Sequence, residues 1–199
     1  MYTEFEATFI NIEKDDIRNR LKNAGAKLVR EEYLQKRVVF NLPTGHEIKG
    51  GWLRVRDEGN KITMSLKIVD GDKIENQKET QLIVDNFEQA VNLLESIGCS
   101  KKAFQESKRE LWKLDDTEIT IDEWPFLEPF VEIEGKSEDD VKNVASKLGF
   151  DYSTALFCAV DTIYNKKYGV SEDQINNHTP EILFNGKNPF INEQATLIK

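Results

Sequence analysis

Glu4 and Glu6 alternate with Phe5 and Ala7 near the start of the chain, and Glu132 and Glu134 alternate with Val131 and Ile133 far downstream. Side chains of a strand point to opposite faces with period two, so each segment sets two carboxylates on one face and apolar residues on the other. Glutamate has low strand propensity, and like charges side by side repel. Four such carboxylates therefore need a positive partner, most simply a divalent metal ion, which prefers hard oxygen ligands.

The segments between them repeat this two-faced pattern with basic residues. Arg54 and Arg56 oppose Leu53 and Val55; Lys67 shares a face with Thr63 and Ser65, opposite Met64, Leu66 and Ile68. Glu79 and Gln81 oppose Thr80, Leu82 and Val84, and Asp122 shares a face with Thr120, opposite Ile119 and Ile121. If helices bury the apolar faces, the charged faces look either to solvent from an open sheet or into a polar lumen. Arginine and lysine on some strands with glutamate and aspartate on others suit a lumen that holds a polyanion together with its metal ions.

The elements that must position these groups follow from periodicity. Helical stripes run over Asp15 to Gly25 (Ile17, Leu21, Ala24), Asp85 to Gly98 (Phe87, Val91, Leu94, Ile97) and Ser137 to Gly149 (Val141, Val144, Leu148), each ending on glycine. Strands are expected at Gln35 to Leu42, Trp52 to Asp57, Ile62 to Val69, Lys78 to Val84, Lys108 to Leu114 and Glu118 to Glu123, besides the two glutamate segments. That makes about eight strands, the number at which a closed barrel just holds its own side chains or one small ligand. The fold class expected is α+β: a closed antiparallel β-barrel with amphipathic helices packed on its outside.

Composition narrows the function. At 199 residues the chain is one domain, or one domain with an appendage. With 27 basic and 36 acidic residues it carries a net charge of −9, so neither a nucleic acid polymer nor an anionic membrane is an expected partner. Its two cysteines, Cys99 and Cys158, and two histidines, His46 and His178, lack zinc-ligand spacing. The chain opens without a signal-peptide pattern, and its longest apolar run, Ala155 to Val160, falls far short of the roughly 20 residues that span a bilayer; a cytoplasmic location is expected. His46 reads as a turn residue, Trp52, Trp112 and Trp124 as packing, and the cysteines as small buried residues.

Taken in order, Glu4-x-Glu6, Leu53-Arg54-Val55-Arg56, Ser65-Leu66-Lys67, Lys78-Glu79, Lys108-Arg109 with Trp112, Asp122, and Glu132-x-Glu134-Gly135 resemble the CYTH domain, the superfamily of class IV adenylyl cyclases, thiamine triphosphatases and inorganic triphosphatases, also called triphosphate tunnel metalloenzymes. The resemblance covers residues 2 to 168. It implies a barrel whose tunnel grips a triphosphate with basic side chains and holds Mg²⁺ or Mn²⁺ on glutamates. Carried over residue by residue, Arg54, Arg56, Lys67 and Arg109 are phosphate ligands; Lys108 alternates away from Arg109, and Arg37 is a further basic candidate. Glu4, Glu6, Glu132 and Glu134 are implied metal ligands, with Glu79 and Asp122 as additional tunnel acids. Catalysis would fall to Glu4, Glu6, Arg56 and Lys67.

One position departs from the pattern. The family's opening motif is E-x-E-x-K, and Thr8 stands where the lysine would be. Threonine is uncharged and too short to replace a reaching ammonium. Either another base such as Lys36 or Lys49 substitutes, or activity is altered or lost. Three functions stay open: an adenylyl cyclase-like enzyme making cyclic AMP and pyrophosphate from ATP, a triphosphatase acting on inorganic or small organic triphosphates, and a binding module that does not turn its ligand over. The tunnel domain is expected at residues 1 to 168, with a helix at Ala155 to Tyr168. Residues 169 to 199 read as a tail docked on the barrel, mobile at its end, that serves as a subgroup feature, a lid or a homodimer contact.

Overall fold

Two-faced strands with apolar residues on one side only can bury that side under helices while the other side curls around an interior. The computed structural model, which describes residues 1–191, shows this arrangement. In chain order its elements are β1 (Tyr2–Thr3), β2 (Phe5–Phe9), α1 (Lys14–Asn23), β3 (Lys27–Asn41), β4 (Gly51–Asp57), β5 (Ile62–Val69), β6 (Gln77–Val84), α2 (Phe87–Ser96), β7 (Ser100–Leu114), β8 (Thr117–Glu123), β9 (Phe130–Gly135), α3 (Glu138–Lys147), α4 (Val160–Tyr168), α5 (Glu172–Asn177) and β10 (Glu181–Ile182). The strands run β1-β6-β5-β4-β3-β7-β8-β9-β2, antiparallel throughout, and β10 adds to β7 in parallel.

Because β1 and β2 are consecutive in the chain yet pair at opposite ends of that order, the sheet nearly closes into a barrel. The strand expected from Glu4 begins at Phe5 as β2, and the short β1 precedes it across a break at Glu4: Tyr2 pairs with Glu79 on β6, and Glu6 with Glu134 on β9. The Glu4 N–H donates to the Gln77 carbonyl at 3.0 Å, which holds the break on the β6 side.

The helices cover the outer faces. Ile17 and Leu21 of α1, Val141 and Val144 of α3, and Leu148 just after α3 pack on Ile119, Ile121, Val131 and Ile133, while Val91 and Leu94 of α2 pack on Val38, Phe40 and Val55. Burying one such side chain contributes roughly 1.5–3 kcal/mol, so these layers force the charged faces inward. The Asn86 side chain caps α2 by accepting from the Gln89 N–H at 2.9 Å, and Ser137 caps α3 by accepting from the Asp140 N–H at 3.2 Å.

The helix expected from Ala155 begins only at Val160. A short 3-10 turn at Tyr152–Thr154 leads instead to Leu156, which is held by two backbone hydrogen bonds with Thr8 of β2, each 2.9 Å. Beyond α4, Ile175, Ile182 and Phe190 join Trp124, Phe130, Ile163 and Tyr164 in a third apolar cluster. The expected mobile end of the tail, residues 192–199, lies outside the described residues. Among the described residues no helix is long and apolar enough to cross a membrane.

A charged cavity inside the barrel

The inward faces enclose a cavity of about 950 Å³. Arg37, Arg54, Arg56, Lys67 and Arg109 line it, as do Glu4, Glu6, Glu79, Glu132 and Glu134. Residues from seven strands and the β1–β2 junction therefore converge as the alternation required. Asp122 lies beneath this lining, fully buried under Arg109. Lys108 lies on the other face of β7, where its ammonium meets Glu123 at 3.3 Å and the Phe184 ring at 4.7 Å. The structure thus brings together every predicted site residue except Lys108.

Most cations are held by carboxylates. The Arg109 guanidinium donates to both Asp122 oxygens at 2.7 and 2.8 Å and to Glu132 at 2.5 Å. Burial disfavours its charge, but Asp122 and Glu132 outweigh that and keep it well above its ordinary value. Arg54 meets Glu79 at 3.1 Å, and Lys67 meets Glu4 at 2.9 Å. Arg56 meets Glu58 at 2.8 Å, an acid buried at the end of β4 that alternation alone does not mark. Burial would raise Glu79, yet Lys67 and Arg54 hold it down to about 2.

Arg37 differs from its neighbours. Its guanidinium donates to the neutral oxygens of Gln35 (2.9 Å) and Ser107, lies 4.3 Å from the centre of the Trp124 ring, and leaves Nε without a partner. Burial, and then the charges of Arg56, Arg54 and Arg109, push it well below its ordinary value. A buried guanidinium among three others, with no carboxylate in contact, is a strong attractor for an anion.

The glutamates show the opposite strain. Burial and then Glu6 raise Glu134 to about 7; burial, then Glu6 and Asp122, lift Glu132 well above its ordinary value despite Arg109. Burial also raises Glu4 to about 8, against the pull of Lys67. Carboxylates that disfavour one another's charge would be relieved by a cation, and their oxygens suit Mg²⁺ or Mn²⁺. By donor chemistry Glu4, Glu6, Glu132 and Glu134 fit such an ion. Among the described residues no three acidic, histidine or cysteine side chains are poised on one point; Glu4 is turned to Lys67 and Glu132 to Arg109.

Thr8 is buried at 2% exposure, opposite Glu132 in the β2–β9 ladder. It does not line the cavity, whereas Phe157 and Cys158, adjoining its backbone partner Leu156, do. Neither suggested substitute reaches the interior: Lys36 is exposed and Lys49 pairs with Asp70 at 2.6 Å on the surface. Among the tryptophans, Trp112 packs in the core, and Trp52 and Trp124 line the cavity.

Comparison with known proteins agrees with this geometry. Residues 4–163 match the model of the CYTH domain. A Methanocaldococcus jannaschii protein named "Putative adenylate cyclase MJ0240" is 26% identical over 160 residues, covering 78% of this chain and 90% of that one. A solved Vibrio parahaemolyticus structure, named as a "putative adenylate cyclase", superposes with a TM-score of 0.69 at 14% identity, over 81% of this chain and 97% of that one. A Hippeastrum structure, named as a "putative adenylyl cyclase" with a dominant triphosphatase activity, gives a TM-score of 0.54 at 12% identity, over 84% and 97% of the two chains. The two superpositions establish a shared fold.

Proposed function

The chain belongs to the CYTH domain family, and from that premise we propose that it is a metal-dependent enzyme acting on a triphosphate-bearing substrate, with the class IV adenylyl cyclase reaction, ATP to cyclic AMP and pyrophosphate, as its chemistry. The observation that carries the reading is the convergence of Arg37, Arg54, Arg56, Lys67 and Arg109 with Glu4, Glu6, Glu132 and Glu134 in one cavity. The name of the archaeal relative supports the cyclase branch.

Phosphoryl and nucleotidyl transfer needs positioning and charge neutralisation more than covalent help from the protein. Fixed guanidinium groups of Arg54, Arg56 and Arg109, with the Lys67 ammonium, would bind non-bridging phosphate oxygens and fix the chain of phosphates in line with the attacking group. Arg37 offers a further donor, already desolvated. Held by Glu4, Glu6, Glu132 and Glu134, a divalent cation would supply further neutralisation of phosphate charge. In the cyclase reaction the ribose 3′-hydroxyl gives up its proton to water as its oxygen bonds to the α-phosphorus, the bond from that phosphorus to the α–β bridging oxygen breaks, and pyrophosphate leaves with that oxygen.

A second reading is favoured by the Hippeastrum relative's name: water attacks instead, and the protein is a triphosphatase. Thr8 motivates a third, binding without turnover. Product analysis separates them. Purified protein incubated with ATP or inorganic triphosphate, with Mg²⁺ or Mn²⁺, is expected to give cyclic AMP and pyrophosphate from ATP. Orthophosphate from inorganic triphosphate would establish the hydrolase, and tight binding without product, with turnover gained in Thr8→Lys, the binding module.

A further inference from the structure

Beyond Arg37, the β7 wall of the cavity carries polar groups that phosphate recognition leaves unused. The β3–β7 ladder pairs Val39 with Ala103 but Phe40 with Lys101, so Lys102 is an extra residue on β7. A bulge of this kind re-aims a side chain. Counting alternately from Gln105, which faces inward, Lys102 belongs on the outer face; the bulge instead brings it into the cavity lining, half-buried. It makes no hydrogen bond or salt bridge among the described residues, and burial lowers its pKa against the opposing pull of Asp161.

Asp161 stands on α4 with its carboxylate fixed from two sides: one oxygen accepts from the Thr162 N–H at 2.8 Å, the other from the Asn176 side-chain amide. Donating through its amide nitrogen leaves the Asn176 oxygen able to accept, and the Gln105 amide, 9% exposed, lines the same cavity opposite Arg37 in the β3–β7 ladder. Asn176 lies on α5, outside the residues matched by the family model. Unlike the arginines, these groups balance a lysine against Asp161, with Glu172 and Asp173 also in the lining. They are built to hydrogen-bond a polar group rather than to attract an anion. The whole cavity, about 950 Å³, lies at the upper end of the roughly 300–1,000 Å³ that accommodates drug-sized organic ligands.

We propose that Lys102, Gln105, Asp161 and Asn176 form a head-group subsite that takes the neutral, hydrogen-bonding organic part of the substrate, a nucleoside, and so makes the protein select nucleoside triphosphates over inorganic triphosphate. The assignment rests on the triphosphate reading above and adds the other half of the ligand to it. Lys102 and the Gln105 amide donate to ring nitrogens or carbonyl oxygens; Asp161 and the Asn176 oxygen accept from exocyclic amines or ribose hydroxyls.

Calorimetric titration of the full chain with ATP, GTP and inorganic triphosphate tests this, using wild type, Lys102→Met, Asn176→Ala and, as a phosphate-end control, Arg56→Ala. Wild type is expected to bind at least one nucleoside triphosphate about tenfold or more tighter than inorganic triphosphate. Lys102→Met and Asn176→Ala should each erase most of that preference while leaving inorganic triphosphate affinity within about twofold, and Arg56→Ala should weaken all three ligands. Equal wild-type affinities for nucleoside and inorganic triphosphates would overturn the subsite. So would Lys102→Met weakening all ligands alike, which would make the lysine a phosphate ligand, or changing none. If wild type bound none of the three, the triphosphate reading itself would fall and take the subsite with it; binding lost in Arg56→Ala but indifferent to Lys102 and Asn176 would sink the subsite alone.

Discussion

Arg109→Ala should be the most damaging single truncation in the cavity, and the structure says by how much. Its guanidinium supplies two hydrogen bonds to Asp122, which has no exposed surface, and one to Glu132. Removing one partner of a buried pair strands the other's charge, at a cost of about 3–5 kcal/mol. Thr120 would still donate to Asp122 at 2.7 Å, which places the expected loss near the lower end, ~3–4 kcal/mol. For a chain of this length that is a fall in Tm of roughly 6–16 °C. Arg109→Gln combined with Asp122→Asn leaves no stranded aspartate and should cost only about 1–2 kcal/mol. Both proteins lose the guanidinium, so both should lose triphosphate affinity by about tenfold or more. Urea unfolding without ligand or cation, paired with triphosphate titration, reads the two effects separately. A loss below about 1 kcal/mol in Arg109→Ala, or a double variant as unstable as the single, would refute the account of Arg109 as the cation that neutralises Asp122.

Other consequences are open to measurement. Glu134 and Glu4 keep protons up to about 7 and about 8 in the folded protein, against an ordinary carboxyl value of 4.5. The folded state therefore binds more protons than the unfolded chain across that window, and its stability declines as pH rises through it. Without divalent cation, Tm should be lower at about pH 8.5 than at about pH 5.5, and Mg²⁺ should recover most of the loss at the higher pH; a Tm that holds or rises with pH counts against this. Lys108→Ala should leave triphosphate affinity within about twofold, because the ammonium faces away from the cavity; a large loss in titration would reverse the inside–outside assignment of β7. Gly50→Ala should cost about 2–4 kcal/mol in urea unfolding, since a Cβ there, at φ 67°, would sit 1.9 Å from the Val69 carbonyl oxygen. A Gly50→Ala protein as stable as wild type would contradict that contact.

Alternation in the sequence was enough to sort inside from outside on most strands. Arg54 with Arg56, Lys67 with Ser65, and Glu132 with Glu134 all face one interior because the apolar partners between them have helices to pack on. The same parity separates Arg109 from Lys108. Features that depend on pairing between distant strands were not legible. The break at Glu4 follows from its bond to Gln77, more than seventy residues away, and Lys102 enters the cavity only because β3 and β7 slip by one residue. Glu58 lies just past the last residue of β4, where alternation no longer sorts faces; there it reaches back to accept from Arg56 and is buried. Gln35 and Ser107 share inward parity with Arg37 and Arg109, a signal present in the sequence that polar, uncharged side chains made easy to pass over.

The cavity's charges are largely neutralised by one another, and this bears on how cation and triphosphate would enter it. Lys67 is paired with Glu4, and Arg109 with Glu132, so in two places one partner is a proposed phosphate ligand and the other a proposed cation ligand. A phosphate oxygen that draws Lys67 or Arg109 away leaves a buried carboxyl without its partner, and that carboxyl must then take up a proton or be covered by a cation. Conversely, engaging Glu4 and Glu132 with a cation frees Lys67 and leaves Arg109 with Asp122 alone, so both can turn to an anion. Each ligand removes the other's competitor, so their affinities should be coupled, and by linkage the coupling is the same in both directions. Arg54 and Arg56 are paired instead with Glu79 and Glu58, which lie outside the proposed cation set, and Arg37 has no carboxylate in contact. Arg37 is therefore the group from which anion binding can begin without breaking an ion pair. Triphosphate affinity in Glu132→Gln should lose most of its dependence on Mg²⁺, because the freed Arg109 no longer has to be bargained away from a second carboxylate. In Arg37→Met it should fall by a similar factor with and without the cation. Titrations of both variants across Mg²⁺ concentrations decide the point: an unaltered cation dependence in Glu132→Gln would mean that the two ligands bind independently, and the exchange of partners would not be how this barrel loads.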